Sequence, residues 1–189
     1  MIIKQTIAGL ACAIAAGAVS AADLPAGDPI SAKIFLELHS FQQLSGSIEP
    51  LVSVPGEAFR VLDGDFLALG HLRIRLVGID APETAQQCNT AEGAFWECAV
   101  EAEDRVRSLM RMAERVECFS DEQDSYGNYL ASCKADGRDV GAVLVGEGLA
   151  WPDQEQGYYG SEAATAQAGE IGIWQAATQP PWEWRKEQN

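Results

Sequence analysis

The chain has 189 residues, 47% of them hydrophobic, and a formal net charge of −15 from 28 Asp and Glu against 13 Lys and Arg. That charge favours solubility and repels polyanions at long range, so it argues against loose, nonspecific coating of DNA without excluding a local basic cleft. The length suits one domain with a full core, and no second long apolar stretch asks for another.

Residues 1–21 read as a secretory signal: Lys4, an apolar run from Ile7 to Val19, then small residues suited to cleavage after Ala21 or Ala22. The run is shorter than the ~20 residues a membrane span requires and ends in Ala-Ala-Asp rather than a basic stop, so no membrane anchor is expected. Leu10 stands two places before Cys12, not the three a lipoprotein box wants, which argues against lipidation. Loss of this segment removes one Lys and no acid, taking the charge from −15 to −16. A secreted or periplasmic monomer is expected.

Four cysteines remain, Cys88, Cys98, Cys118 and Cys133, and an even count in an exported chain reads as two disulfides. Three pairings are possible. Cys88 with Cys98 and Cys118 with Cys133 is favoured, because each pair flanks a compact loop or hairpin. A zinc site is the weaker reading, since there is no C-x-x-C and no histidine nearby.

Residues 22–54, punctuated by Pro25, Pro29 and Pro50, form an N-terminal extension in which Ala32–Leu44 suits either a short helix or a strand. Residues 55–176 carry the ordered pattern. Three β-rich runs come first, at Ala58–Leu62, Phe66–Leu69 and Leu72–Ile79. In the third, Leu72, Ile74 and Leu76 alternate with His71, Arg73 and Arg75, which turns the apolar set to a core and both arginines to the opposite face. From about Ala91 to Met112, the apolar positions Phe95, Ala99, Val100, Ala102, Val106, Leu109, Met110 and Ala113 recur at helical spacing. A hairpin follows, Arg115–Phe119 and Tyr129–Lys134 around a polar turn. Helices are expected at Asp139–Glu147, stopped by Gly148, and from about Ser161 to Glu170, stopped by Gly172. Residues 177–189 are an aromatic C-terminal tail. The order fits an α+β, mainly β fold: a five-stranded oligonucleotide-binding (OB-fold) barrel with about three packed helices, which by itself does not settle function.

Asp63 and Asp65 flank Gly64 and point to one side of an extended backbone. Fifteen residues after Asp65, the string GIDAPET brings Asp80 and Glu83 to either side of a proline. Several carboxylates gathered together repel one another unless a cation such as calcium neutralises them. Taken singly, each segment is ordinary turn chemistry. The strand between them, with Arg73 and Arg75, is what favours a site.

The order LDGD, RIRLVGIDAPET, DSYGN, GLA and a late GIW resembles the staphylococcal nuclease (thermonuclease) family over roughly Glu57–Trp174. Isolated DGD is weak; R-L-x-G-I-D-A-P-E, starting ten residues after the second Asp of DGD, is specific. The resemblance implies an SNase-like fold and calcium-dependent hydrolysis of DNA or RNA with little sequence preference, leaving 3′-phosphate ends. It implies Asp65, Asp80 and the carbonyl of Ala81 as calcium ligands, Glu83 as the carboxylate that orients or deprotonates water, Arg75 as the first of two phosphate-gripping arginines, and Asp63 in support.

Several positions depart from the family. Asn128 follows Tyr-Gly where the family has its second arginine, which removes a charged donor. Phe66 stands for a threonine and Ser125 for a lysine. Tyr126 is retained, although a tyrosine in a hairpin turn more often reads as packing. WPDQEQGYYG sets acids where base-stacking tyrosines are expected, with Tyr158 or Tyr159 as stand-ins. Arg75 also has a structural reading, as the partner of a neighbouring carboxylate. The five tryptophans read as packing, and His39 and His71 as incidental. Two functions follow: a weak exported nuclease, or a catalytically degenerate module binding a nucleotide, a protein or calcium only. The retained Asp65, Arg75, Asp80 and Glu83 favour the enzyme.

Overall fold

A computed structural model of the protein describes residues 49–153 and 157–188. The signal segment, Cys12, His39 and the extension up to residue 48 lie outside the described residues.

The main sheet grows from one tight turn and one hairpin. Phe66–Leu69 (β3) and Leu72–Leu76 (β4) pair antiparallel across a two-residue turn, with Leu69 opposite Leu72. Gly70 takes a left-handed φ of 58° there, which glycine adopts without strain. In β4, Ile74 and Leu76 are buried and Arg73 and Arg75 occupy the other face, as the alternation requires. Arg60–Val61 (β2) pairs with β3.

On its other side β4 runs parallel to Tyr129–Ala135 (β9), which forms a hairpin with Val116–Gln123 (β8). These five strands match the expected set. The sheet gains two short additions: Val52–Val54 (β1) on the edge of β8, and Arg138–Asp139 (β10) on β9. The order β1-β8-β9-β4-β3-β2, with β10 off β9, makes a seven-stranded mixed sheet among the described residues. It is the curled, OB-like half-barrel of an α+β, mainly β fold. The sheet therefore starts before residue 55.

Four α-helices are described: Cys98–Met112 (α1), Val140–Gly146 (α2), Gly160–Ala168 (α3) and Pro181–Gln188 (α4). Helix α1 buries Ala99, Ala102, Val106, Leu109 and Met110 as one stripe. It begins later than the periodicity predicts. Cys88–Asn89 (β6) and Phe95–Trp96 (β7) instead form a small hairpin, in which Phe95 is exposed, and Val100 is also exposed on the helix. A disulfide between Cys88 and Cys98 accounts for the difference: it ties the hairpin to the first turn of α1 and leaves residues 91–97 outside the helix. Asp139 caps α2 by accepting the Ala142 N–H, a common stabilising role for Asp at that position.

The second disulfide joins Cys118 and Cys133, which face each other in the β8–β9 register. The favoured pairing is the one observed. Reduction is expected to cost about 2 to 4 kcal/mol per bridge by freeing the unfolded chain. Thermal melts with and without a thiol check this; coincident curves would mean the bridges contribute nothing.

The aromatic C-terminal segment carries helix α4 and packs on the rest of the fold. Pro181 sits at the first position of α4, where its missing N–H costs nothing, and is fully buried. Trp182 meets Trp151 edge-on at 6.3 Å, and Trp174 meets the same ring at 6.2 Å. With Trp96, Ile173 and the Cys88–Cys98 bridge they form a second core. The packing reading of these four tryptophans is correct. Among the described residues, no helix is long and apolar enough to cross a membrane.

Candidate active site

Three backbone devices bring the acidic residues together. First, the Asp63-Gly64-Asp65 turn is closed by the Leu62 and Asp63 N–H groups donating to the Phe66 carbonyl, and by the Asp65 N–H donating to Asp63 Oδ1. Gly64 lies so near Ala81 and Ala102 that an added Cβ would stand 2.7 Å and 3.0 Å from theirs. Any larger residue would push the turn off α1.

Second, β4 breaks at Gly78, which has a φ of 78°, so the expected run to Ile79 splits in two. The chain re-pairs as Ile79–Asp80 (β5) with Trp151–Pro152 (β11), Asp80 opposite Trp151. Third, Glu83 is held by an exchange with Gln86: the Glu83 N–H donates to Gln86 Oε1 at 3.0 Å, and the Gln86 N–H donates to the Glu83 carbonyl at 2.7 Å.

The result is an open pocket of about 190 Å³ lined by Asp63, Asp65, Phe66, Arg75, Ala81, Pro82, Glu83 and Asn128. Most of the residues singled out in the sequence meet here. Asp80 borders it through Arg75, whose Nη2 lies 3.4 Å from Asp65 Oδ2 and 3.9 Å from Asp80 Oδ1. Arg75 thus does balance neighbouring carboxylates, while its side chain stays 43% exposed at the pocket.

Asp65 is only 6% exposed and accepts the Ala81 N–H. Burial pushes its carboxyl up to about 7; the Arg75 charge opposes this, and Asp63 and Asp80 add to it. A buried acid crowded by two more carboxylates is relieved by a hard, oxygen-liganded cation, so Asp65, Asp80 and the Ala81 carbonyl fit such an ion by chemistry. Among the described residues no three His, Cys, Asp or Glu side chains converge as a ready cage, so carbonyl and water oxygens would have to complete the set.

The hairpin tip carries Asn128 and Tyr126. Asn128 lines the pocket, but its amide donates to Asp124 Oδ2 at 2.8 Å, and Asp124 Oδ1 accepts the Tyr126 and Asn128 N–H groups. The Asn128 side chain holds the Asp124 carboxyl below its usual range. Tyr126 is 89% exposed, which overturns its reading as a packing residue. Of the two proposed stand-ins, Tyr159 donates to Asp139 at 2.9 Å and packs on Gly141, which makes it structural. Tyr158 lies against Gly78 and remains half-exposed.

One site residue was missed from the sequence. Arg185, on α4, donates from Nη1 to Asp80 Oδ1 at 3.0 Å and to Glu83 Oε1 at 2.5 Å, and from Nη2 to Asp80 Oδ2 at 2.8 Å. These bonds, that to Asp80 foremost, raise its pKa above the ordinary guanidinium value against the effect of partial burial.

Residues 73–176 match the family described as Staphylococcal nuclease homologue, a stretch that includes Arg75, Asp80, Ala81, Glu83 and Asn128. This chain belongs to the staphylococcal nuclease family. Among curated proteins similar to it, the Succinoglycan biosynthesis protein ExoI of Rhizobium meliloti (strain 1021) is 32% identical over 135 residues, covering 70% of this chain and 69% of that protein. A Micrococcal nuclease of Shigella flexneri is 28% identical over 176 residues, 79% of this chain and 94% of the relative. Protein ParB of Escherichia coli is 32% identical over 155 residues, 71% and 80% respectively. The staphylococcal nuclease match begins after Asp65 and ends before Arg185, so neither the DGD turn nor α4 lies within it.

Proposed function

We propose that this member of the staphylococcal nuclease family is a calcium-dependent phosphodiesterase that cleaves DNA or RNA with little sequence preference. The observation that carries the reading is one pocket in which a buried, crowded carboxylate (Asp65), a flanking acid (Glu83) and an exposed guanidinium (Arg75) meet. The relative named Micrococcal nuclease, which aligns over most of both chains, supports it.

Asp65, Asp80 and the Ala81 carbonyl would hold the ion. When bound, calcium polarises the phosphate and offsets its charge. Glu83, at the pocket wall, takes the proton of the attacking water. Arg75 donates to the equatorial phosphate oxygens, where charge grows. Asp63 holds the Asp65 backbone in place. With Asn128 turned onto Asp124, no guanidinium comes from the hairpin, and the loss of one such donor implies a rate lower by roughly a hundredfold to a thousandfold.

The two disulfides fit an oxidising compartment, and together with the secretory signal expected from residues 1–21 they support export to the periplasm or the medium. The alternative is a degenerate binding module; the uncharged Asn128, turned onto Asp124, favours it.

Digestion of plasmid and single-stranded DNA by the oxidised protein, with calcium against chelator, separates the two. Chelator-sensitive cleavage is expected. Its absence at high enzyme concentration would leave the binding module as the reading.

A further inference from the structure

We propose that Arg185 is a positioning residue of the active site, its two-pronged grip on Asp80 and its bond to Glu83 fixing the two carboxylates on which hydrolysis depends. This rests on the nuclease reading and adds to it a residue more than a hundred positions away in sequence.

The contact is built in by packing rather than formed by chance at a surface. Helix α4 is secured without Arg185: Pro181 is fully buried, and Trp182 lies edge-on to Trp151. Just before the helix, the Gln179 carbonyl accepts from Gln86 Nε2 at 2.7 Å. Asn89 donates from its backbone to Thr178 at 3.1 Å and from its side chain to the Ala177 carbonyl at 2.6 Å. Gln86 is itself 1% exposed and is the residue that holds Glu83 by the backbone. Position 185 falls one turn after Pro181, on the same helix face.

One set of contacts therefore serves both ends of the interaction. Trp151 pairs with Asp80 in the β5–β11 ladder and packs against Trp182 of α4. Gln86 orders Glu83 and anchors the approach to α4. Asp80 and Glu83 meet a guanidinium whose own position is set by the same neighbours.

A removable plug would need a weakly held helix, and α4 is held by buried groups at its base. Nor does the grip exhaust Asp80. A carboxylate offers about four acceptor sites, and two guanidinium bonds leave the others for a cation. Arg75 and Arg185 flank Asp80, so the cluster carries two positive charges although the hairpin supplies none.

The test compares Arg185→Gln, Arg185→Ala and Arg185→Lys with the unaltered full chain, oxidised, in calcium-dependent cleavage of single-stranded DNA. The glutamine and alanine variants should lose roughly 10- to 100-fold in kcat, the range for residues that orient the groups doing chemistry. KM should change less than about threefold, and lysine, which keeps the charge but not the fork, should recover part of the loss. Calcium titration calorimetry without nucleic acid should show no tightening beyond about tenfold, the factor equivalent to ~1.4 kcal/mol.

An unchanged or raised kcat, or calcium affinity more than tenfold tighter, would overturn the proposal and make Arg185 a competitor for the ion. Glutamine and lysine keep most of the side chain's packing, so loosening of α4 by alanine does not decide the outcome. If the unaltered protein shows no chelator-sensitive cleavage, the nuclease reading fails and this proposal with it. An active parent with indifferent variants sinks the proposal alone.

Discussion

Glu83→Gln is expected to lower kcat by roughly 10²- to 10⁴-fold, the contribution of a positioned general base. The substitution keeps size and shape, so the backbone exchange with Gln86 survives and stability should stay near that of the parent. An amide oxygen can still accept from Arg185. What disappears is the ability to take a proton. Single-turnover cleavage with calcium, beside a thermal melt, measures both quantities. A loss smaller than tenfold would mean that Glu83 orients water at most and that the base lies elsewhere.

Arg75→Ala is expected to cost roughly 10²- to 10³-fold in kcat/KM, the effect of removing one charged donor from a developing oxyanion. Two effects overlap at this position. Arg75 lies 3.4 Å from buried Asp65, and removing it leaves that carboxylate with one fewer opposing charge. Arg75→Lys separates them: lysine keeps a charge near Asp65 but lacks the planar fork that fits a phosphate. If lysine restores both stability and rate, Arg75 acts by charge alone. If it restores stability and leaves the rate low, the fork is what the reaction uses. Full activity of both variants would reduce Arg75 to a counter-ion.

The parts of the site that were legible in the sequence are those written in short local spacings. Leu72, Ile74 and Leu76 alternate with arginines, so the direction of Arg75 follows from strand geometry. The Asp63-Gly64-Asp65 and Asp80-to-Glu83 segments each occupy a few residues, and the strand between them sets their approach. The cysteine pairs lie close in sequence, which favoured the observed bridges. The five main strands and three of the helices were visible for the same reason.

The parts that were not legible depend on distant partners. β1 is three residues long and has no periodicity to detect; only its pairing with β8 makes it a strand. The late start of α1 reflects a disulfide-closed hairpin whose residues happen to continue the helical spacing of apolar positions. α4 spans eight residues, too short for a periodic signal, and its stability comes from Trp151 and a buried proline. Pro181 at the head of the segment was the one local hint of a helix start. Nothing local marked Arg185 as part of the site, because its partners stand 102 and 105 residues earlier.

That separation bears on how pieces of this molecule can be expressed. A fragment trimmed at residue 176, where the family match stops, would contain the whole main sheet and still lack Trp182, one of two indoles edge-on to Trp151, and Arg185, the closer of two guanidinia beside Asp80. Such a fragment would uncover part of the Trp151 indole and leave Asp80 its 3.9 Å approach to Arg75 without the closer Arg185 grip, so sluggish behaviour in it would reflect the cut rather than the parent protein.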